Sequence, residues 1–405
     1  MSITIARSIA GSTVLSHVAM RHIQQEMPSK QRERLIHFIC QKEVIPDMML
    51  LLPRTIGDIM WEGESEDMQV VSVEYDRNND IFLRLMMLLA HHSLFVSTFT
   101  ELVRAPQFLF SQFHLDFSRG FQLIRGVVTP ESFFAKEEKW GILTPEFETE
   151  IKSTFVPEVW ENLDYFCFLC FWLVEYRDIF CPAEAYADYR RQIDIEIAGN
   201  QAERKTGVSR TQLRKLSKTL GKLRQERETV EKDEKAQESR VSSLGGKLAE
   251  IMAGMFPREE GVDWFVDTCV FPRLLASSAD ALFCAELAGK LVAWKVKGFR
   301  IGRFVNRILA GILGILRTAT TSEVLNCGFF LAEVLENLRH GRVKKEVYLK
   351  ECWKSEAFLE WEGDGDASYD GFCKVCLKDG VDCRHMMSGW NASATSPSGI
   401  CSRWN

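Results

Sequence analysis

The most regular alternation of apolar and polar positions in this chain runs from Leu213 to Ile251. Steps of three and four residues from Leu213 reach twelve positions, of which nine are apolar: Leu213, Leu216, Leu220, Leu223, Val230, Val241, Leu244, Leu248 and Ile251. Arg227, Glu234 and Gln237 interrupt the series. An apolar stripe that recurs every three and a half residues belongs to a long helix that meets another helix along a narrow line. At a rise of ~1.5 Å per residue the rod would reach about 58 Å, with Gly245-Gly246 as a place to bend or divide it. Such a stripe needs a mate, either a helix of the same chain or one from another protein, and the pattern is compatible with both.

Elsewhere the punctuation is that of shorter helices. Between Ile3 and Trp61, Pro28, Pro46 and Pro53 predict broken helices, because proline lacks the amide donor and clashes with the preceding turn. Residues 63–67 read as a polar loop, and Asp76–Val103 as a helix with a stripe at Ile81, Leu85, Leu88 and Leu89 that ends near Pro106. The weakly periodic stretch from Gly126 to Glu150, with Pro130, Gly141 and Pro145, reads as a connection. Pro157 opens an apolar helix through Trp160, Phe171 and Trp172, and Pro182 and Tyr186 lead from it to a polar stretch. After Pro257, helices are expected at about 263–270, 278–295, 301–317, 322–339 and 344–355, with Ser277 and Asp280 suited to a helix start. The fold class expected is all-α, a solenoid-like succession of helices with one long coiled-coil-like member, although no fixed repeat period is found. The expected organisation is an N-terminal helical unit (1–125), a linker (126–155), an apolar helical segment (156–200), the heptad helix (201–255), a C-terminal helical domain (256–388) and a disordered tail (389–405).

Composition agrees with a folded helical chain: 46% hydrophobic and 26% charged residues, with only 11 prolines in 405 residues. The net charge of −6 gives no global field toward nucleic acid or anionic membrane, so a basic surface must be local. The longest apolar runs, 166–174 and 308–316, fall short of the ~20 residues of a bilayer span, and no membrane partner is expected. No secretory signal pattern is visible at the N-terminus, so the 12 cysteines are expected as reduced thiols in cytosol or nucleus.

Candidate chemistry is sparse. Cys373, Cys376, Cys383 and His385 place four possible zinc ligands close together, but Cys-x-His is not a usual second knuckle, and unligated thiols are the expectation. His91-His92 are neighbours on a helix and point apart, the acidic run 362–366 lacks the closing glutamate of a calcium loop, and phosphate-loop, nucleophile-elbow and His-Glu-x-x-His motifs do not occur. No cofactor and no enzymatic activity are expected. Two segments suit RNA. Between 203 and 224, Arg204, Lys205, Arg210, Arg214, Lys215, Lys218, Lys222 and Arg224 face Glu203 alone, a local charge of +7. Between Trp294 and Arg307, Phe299 and Phe304 alternate with Lys297, Arg300 and Arg303, which serves either stacking on single-stranded RNA or a core face with cations at its rim.

Three stretches resemble a known family, the large second subunit of the THO complex, a nuclear assembly that couples transcription to messenger RNA packaging and export. Cys269-Val-Phe271-Pro272-Arg273 followed by Ser277-Ser-Ala-Asp280-Ala281-Leu-Phe-Cys284-Ala285 is similar to that family's motif without a gap. Trp160, Phe171-Trp172, Asp178-Ile179, Pro182 and Tyr186 have its spacing, and Tyr348 to Cys352 with Phe358-Leu359 forms the third stretch. Arg177 departs from it, standing where members usually carry tyrosine. The resemblance implies a nuclear α-helical scaffold that holds other THO subunits and the DEAD-box RNA helicase of the export pathway on messenger RNA. An adaptor of cytosolic trafficking or translation with no RNA role is the alternative. Read physically, the first motif is a structural corner: Pro272 ends one helix, Ser277 and Asp280 start the next, and Arg273 pairs with Asp280 or covers helix carbonyls.

Overall fold

The computed structural model describes residues 68–90, 106–136, 141–205 and 209–343, with residues 34, 53, 54, 96 and 97 besides. Apart from residues 34, 53 and 54, the helices expected before residue 62 lie outside the described residues, as do the loop 63–67, the His91-His92 pair, the helix expected at 344–355, the resembling stretch 348–359, the acidic run 362–366, the Cys373 to His385 group and the tail 389–405.

The described residues form an all-α body. Its helices are α1 (Met68–Leu89), α2 (Phe108–Ser111), α3 (Phe117–Arg125), α4 (Pro130–Phe134), α5 (Pro145–Thr154), α6 (Pro157–Asn162), α7 (Tyr165–Leu173), α8 (Tyr176–Ile179), α9 (Ala183–Lys205), α10 (Arg210–Met252), α11 (Gly261–Phe265), α12 (Phe271–Ala276), α13 (Ser278–Ala293), α14 (Ile301–Ile315) and α15 (Thr321–Val343). A π-helical turn, Val266–Val270, joins α11 to α12 without a break. No helix among the described residues is long and apolar enough to cross a membrane.

The short helices have explicit start signals. Side chains of Asp116, Thr129, Thr144, Asp164 and Ser277 each accept the amide three residues on, and Pro130, Pro145 and Pro157 occupy first-turn positions where a missing amide costs nothing. This changes the reading of 126–155. Expected as a linker, it holds the whole of α4 and α5, and Val127, Val128, Phe133, Ile142, Phe147 and Ile151 are buried in the same core as Phe82 and Phe330. Helices of five and ten residues are too short to display a clear period, which is why the sequence pattern reads as a connection. The apolar helix expected from Pro157 through Trp172 is two helices, because Leu163 is extended and Asp164 restarts the chain by capping Cys167.

Helix α1 begins earlier than expected, and of the expected stripe Leu89 is buried and Leu85 packs against the core while Ile81 falls outside the buried face. Val71, Tyr75, Phe82, Met86 and Leu89 are buried, whereas Ile81 of the expected stripe is 44% exposed. The true stripe is disguised by Tyr75 and Asn79, whose polar atoms find partners in Arg119 and the Ala276 carbonyl.

At the centre lies α7, with Cys167 to Leu173 all buried. Trp172 stacks on Phe121 at 5.3 Å between centroids and Phe171 meets Phe265 edge-on at 5.1 Å. Two glycines set the spacing around it. A Cβ at Gly261 would stand 2.2 Å from the Asn162 carbonyl oxygen, and one at Gly311 would stand 2.5 Å from the Phe271 ring. Both positions therefore let another group approach the helix backbone closely.

Candidate functional site

The heptad helix is real and unbroken. Ser209 caps α10 through a reciprocal pair with Gln212, and the helix runs for 43 residues, about 64 Å, straight through Gly245-Gly246. Its mate over the first half is α9, which runs antiparallel to it: Tyr189 meets Glu226, Asp194 meets Arg227 and Arg190 meets Glu234. Leu223 and Val230 form a small core of their own with Tyr186 and Ile193, while Leu244 and Leu248 enter the main core. Leu216 and Leu220 are also buried, and Leu213, Val241 and Ile251 are half-buried. Among the described residues, no member of the main core lies on α10 before Leu244.

The three polar interruptions explain why the mate is internal. Arg227 Nε donates to Asp194 at 2.7 Å, Glu234 pairs with Arg190, and Gln237 Nε2 donates to the carbonyls of Phe180, at 3.0 Å, and Arg177. Each polar position of the stripe meets a group of opposite character on this same chain, so stripe and partners match in register.

A polar latch ties α10 to the body at the root of this hairpin. Arg240 Nε donates to Asp178 at 2.7 Å and its Nη1 reaches Glu131 at 3.0 Å. Asp178 also accepts the Glu175 amide and is completely buried. Burial and the neighbouring Glu175 push the Asp178 carboxyl above its ordinary range, against the pull of Arg240 and Arg177. Arg177 is itself held by Glu175 at 2.6 Å.

The second constellation is buried. Arg273 is 0% exposed. Its Nε donates to Asp280 Oδ1 at 2.7 Å, its Nη2 to the Val174 carbonyl at 2.7 Å and its Nη1 to the Phe171 carbonyl. Those carbonyls belong to the C-terminal end of α7, where orphan acceptors and the negative end of the helix dipole await a cation. The guanidinium also lies over the Phe283 ring at 3.7 Å. Asp280 receives Ser277 Oγ at 2.8 Å and, from the distant helix α3, Arg125 Nη1 at 2.7 Å and Gln122 Nε2 at 3.3 Å. Burial opposes ionisation of Asp280, but Arg125 and Arg273 outweigh it and hold the carboxyl well below the usual range. Burial and the nearby Arg125 lower Arg273 to about 10, which leaves it charged at neutral pH.

The motif differs from the expected corner in where the chain turns. The helix continues through Pro272, because the π turn, in which the Phe271 amide bonds to the Val266 carbonyl, accommodates a residue with no amide of its own. The break falls at Ser277, which is extended and caps α13. Ser118 Oγ takes up the Pro272 carbonyl at 2.7 Å. Phe271 packs on Gly311, Cys284 is buried beside Arg273 and Asp280, Trp172 is buried, Pro182 is buried at the entry to α9, and Trp160 donates to the Lys152 carbonyl at 3.1 Å. Burial pushes the Cys269 thiol up to about 12 and raises that of Cys284, so both are unreactive at neutral pH.

The basic segments separate in the structure. Arg204, Arg210, Arg214, Lys215, Lys218, Lys222 and Arg224 are exposed at the far end of the hairpin, and Lys205 is the last residue of α9. The segment 294–307 is not a stacking surface. Phe299 and Phe304 are 0% exposed, and Arg300, Arg303 and Arg307 are committed to Glu259, Asp263 and Asp267 in a ladder between parallel helices. Alternating aromatics and cations here are a core edge with a paired rim. Arg125, Gln122 and Arg240 escape a reading of spacing, since each lies tens of residues or more from the groups it serves. No cluster of three metal-ligating side chains occurs among the described residues.

Residues 160–383 match the family model described as Tho2, transcription factor/nuclear export subunit protein 2, over more than half of the chain. The chain belongs to the Tho2 family. Curated relatives named THO complex subunit 2 include those of Homo sapiens and Dasypus novemcinctus, each 22% identical over 386 residues, which is 88% of this chain and 23% of theirs. The Arabidopsis thaliana relative of the same name is 21% identical over 399 residues, 87% of this chain and 21% of its own length. This chain therefore spans under a quarter of the length of these relatives. The Tho2 match begins at Trp160 and takes in both the hairpin and the Arg273–Asp280 core.

Proposed function

We propose that this chain is a non-enzymatic α-helical scaffold of a THO-like complex in the nucleus. In this reading it holds other THO subunits and places a DEAD-box RNA helicase of the messenger RNA export pathway on transcripts. It supports RNA contact through Arg204, Lys205, Arg210, Arg214, Lys215, Lys218, Lys222 and Arg224. The family match and the names of the relatives support the complex and the compartment.

The observation that carries the scaffold reading is the fate of Arg273 and Asp280. The two most chemically capable side chains of the matched motif are buried and bonded to neighbouring protein groups, joining α3, α7, α12 and α13. Buried networks of this kind fix one geometry of a body rather than meet a substrate. The test is purification of the tagged full chain from nuclear extract followed by mass spectrometry. Recovery of THO subunits and the helicase is expected; recovery of trafficking or translation factors without any THO subunit refutes the proposal.

A further inference from the structure

Resting on the reading that the hairpin meets RNA, we infer that its tip is a sequence-independent docking ridge for the phosphate backbone of double-stranded nucleic acid, in preference to single strands. Arg210, Arg214, Lys218 and Lys222 stand four residues apart along α10 and all four are exposed. They make one row with steps of about 6 Å, flanked by Lys215, and no acidic residue lies between 204 and 225. The row is rigid, because Leu216, Leu220 and Leu223 on the opposite side are buried and the capped helix begins immediately before it.

What the ridge lacks decides the partner. From Arg190 to Met255 the sequence has no Phe, Tyr or Trp, so among the described residues the tip carries no ring of its own on which an unpaired base stacks. A flexible single strand would have to be ordered there with no stacking to offset the entropy, whereas the phosphates of a duplex are already ordered. The apolar residues between the cations face inward, so a protein partner would find no buried anchor of the kind that dominates protein interfaces. Gln212 spends its Oε1 on the Ser209 cap, and the deep, narrow major groove of an RNA duplex keeps base edges away from Arg210 and its neighbours. Charge without stacking or readout is the footprint of backbone binding.

The test uses the full chain with a mixed-sequence RNA duplex, a uridine homopolymer carrying the same number of phosphates, and polyglutamate. The duplex is expected to bind at least fivefold more tightly than the homopolymer. K218E with K222E should weaken duplex binding tenfold or more and flatten the log-log salt slope by about 2. K232E with K235E, exposed on the same helix outside the row, serves as a folding-matched control and should leave affinity unchanged. Circular dichroism of every variant must match the parent. Equal or tighter binding of the homopolymer overturns the duplex preference while leaving RNA contact standing. Unchanged duplex affinity in K218E/K222E removes the ridge from nucleic-acid binding altogether, and polyglutamate binding as tight as the duplex makes it a surface for acidic protein. None of these outcomes touches the scaffold reading, which the co-purification decides separately.

Discussion

Asp280 and Arg273 form one ion pair, yet their removal is expected to have unequal consequences. Asp280 answers two buried guanidinium groups, Arg273 and Arg125, with side chains 0% and 7% exposed. Replacing it with Asn strands both cations in the core and weakens the Ser277 start of α13. Breaking a buried pair by removing one partner costs about 3–5 kcal/mol, and the doubled cation places D280N at the upper end of that range or above it. R273M leaves Asp280 compensated by Arg125 and forfeits the bonds to the Phe171 and Val174 carbonyls, at about 1–3 kcal/mol for each acceptor left dry, but it also removes the cost of several kcal/mol of keeping a guanidinium out of water, which D280N does not. The expected order is therefore D280N worse than R273M, read as the urea midpoint of the full chain at pH 7. Both variants that fold should keep the parent's affinity for RNA. A larger loss for R273M, or a loss under ~1 kcal/mol for D280N, would show that water reaches this cluster and that it is not the joint described above.

G261A should cost about 1–3 kcal/mol, because its methyl group meets the Asn162 backbone oxygen and backbone cannot swing aside; a thermal melt checks it. G245A and G246A should each stabilise α10 by about 0.5–1 kcal/mol, as nothing lies within 4 Å of either new methyl; a fall in melting temperature would mean that the helix is hinged there. Acid titration should separate the two buried aspartates. The depressed Asp280 contributes stability that is present above its unfolded pKa of ~3.9 and lost as pH falls below it, so D280N should flatten the acid limb of a stability–pH curve. The raised Asp178 has the opposite sign: its cost appears as pH rises past ~3.9 and is relieved by protonation, so D178N should cost less than D280N at pH 7.

Much of the helical plan was legible because long helices with one buried face leave a period in the sequence. The seam from Leu213 to Ile251 shows that signal, and the start of α13 shows another, the capping pair Ser277 and Asp280. What escaped has physical causes. Helices α4 and α5 are too short to display a period, and the stripe of α1 passes through Asn79, a buried polar residue that only a tertiary partner can satisfy. The basic and aromatic alternation from Trp294 to Arg307 misleads because a cation at a core edge looks the same in sequence whether or not Glu259, Asp263 and Asp267 stand opposite it. Arg125 carried no local sign at all, since its need is created by Asp280, 155 residues away.

The polar interruptions of the heptad carry the most information about how this chain works. If the seam were a docking edge for another protein, Arg227, Glu234 and Gln237 would await partners on that protein. Instead Asp194, Arg190 and the carbonyls of Phe180 and Arg177 meet them. Replacing a polar position in such a stripe by leucine would raise its apolar character and remove the feature that sets register, so R227L with E234L should loosen the α9–α10 pairing or invite self-association. Concentration-dependent oligomers of that variant in sedimentation would agree with an internal register lock. A monomer with the parent's stability would leave the register to Leu223 and Val230 alone. Once the seam is closed within the chain, the hairpin meets other macromolecules through its outward face, which carries the row from Arg210 to Lys222.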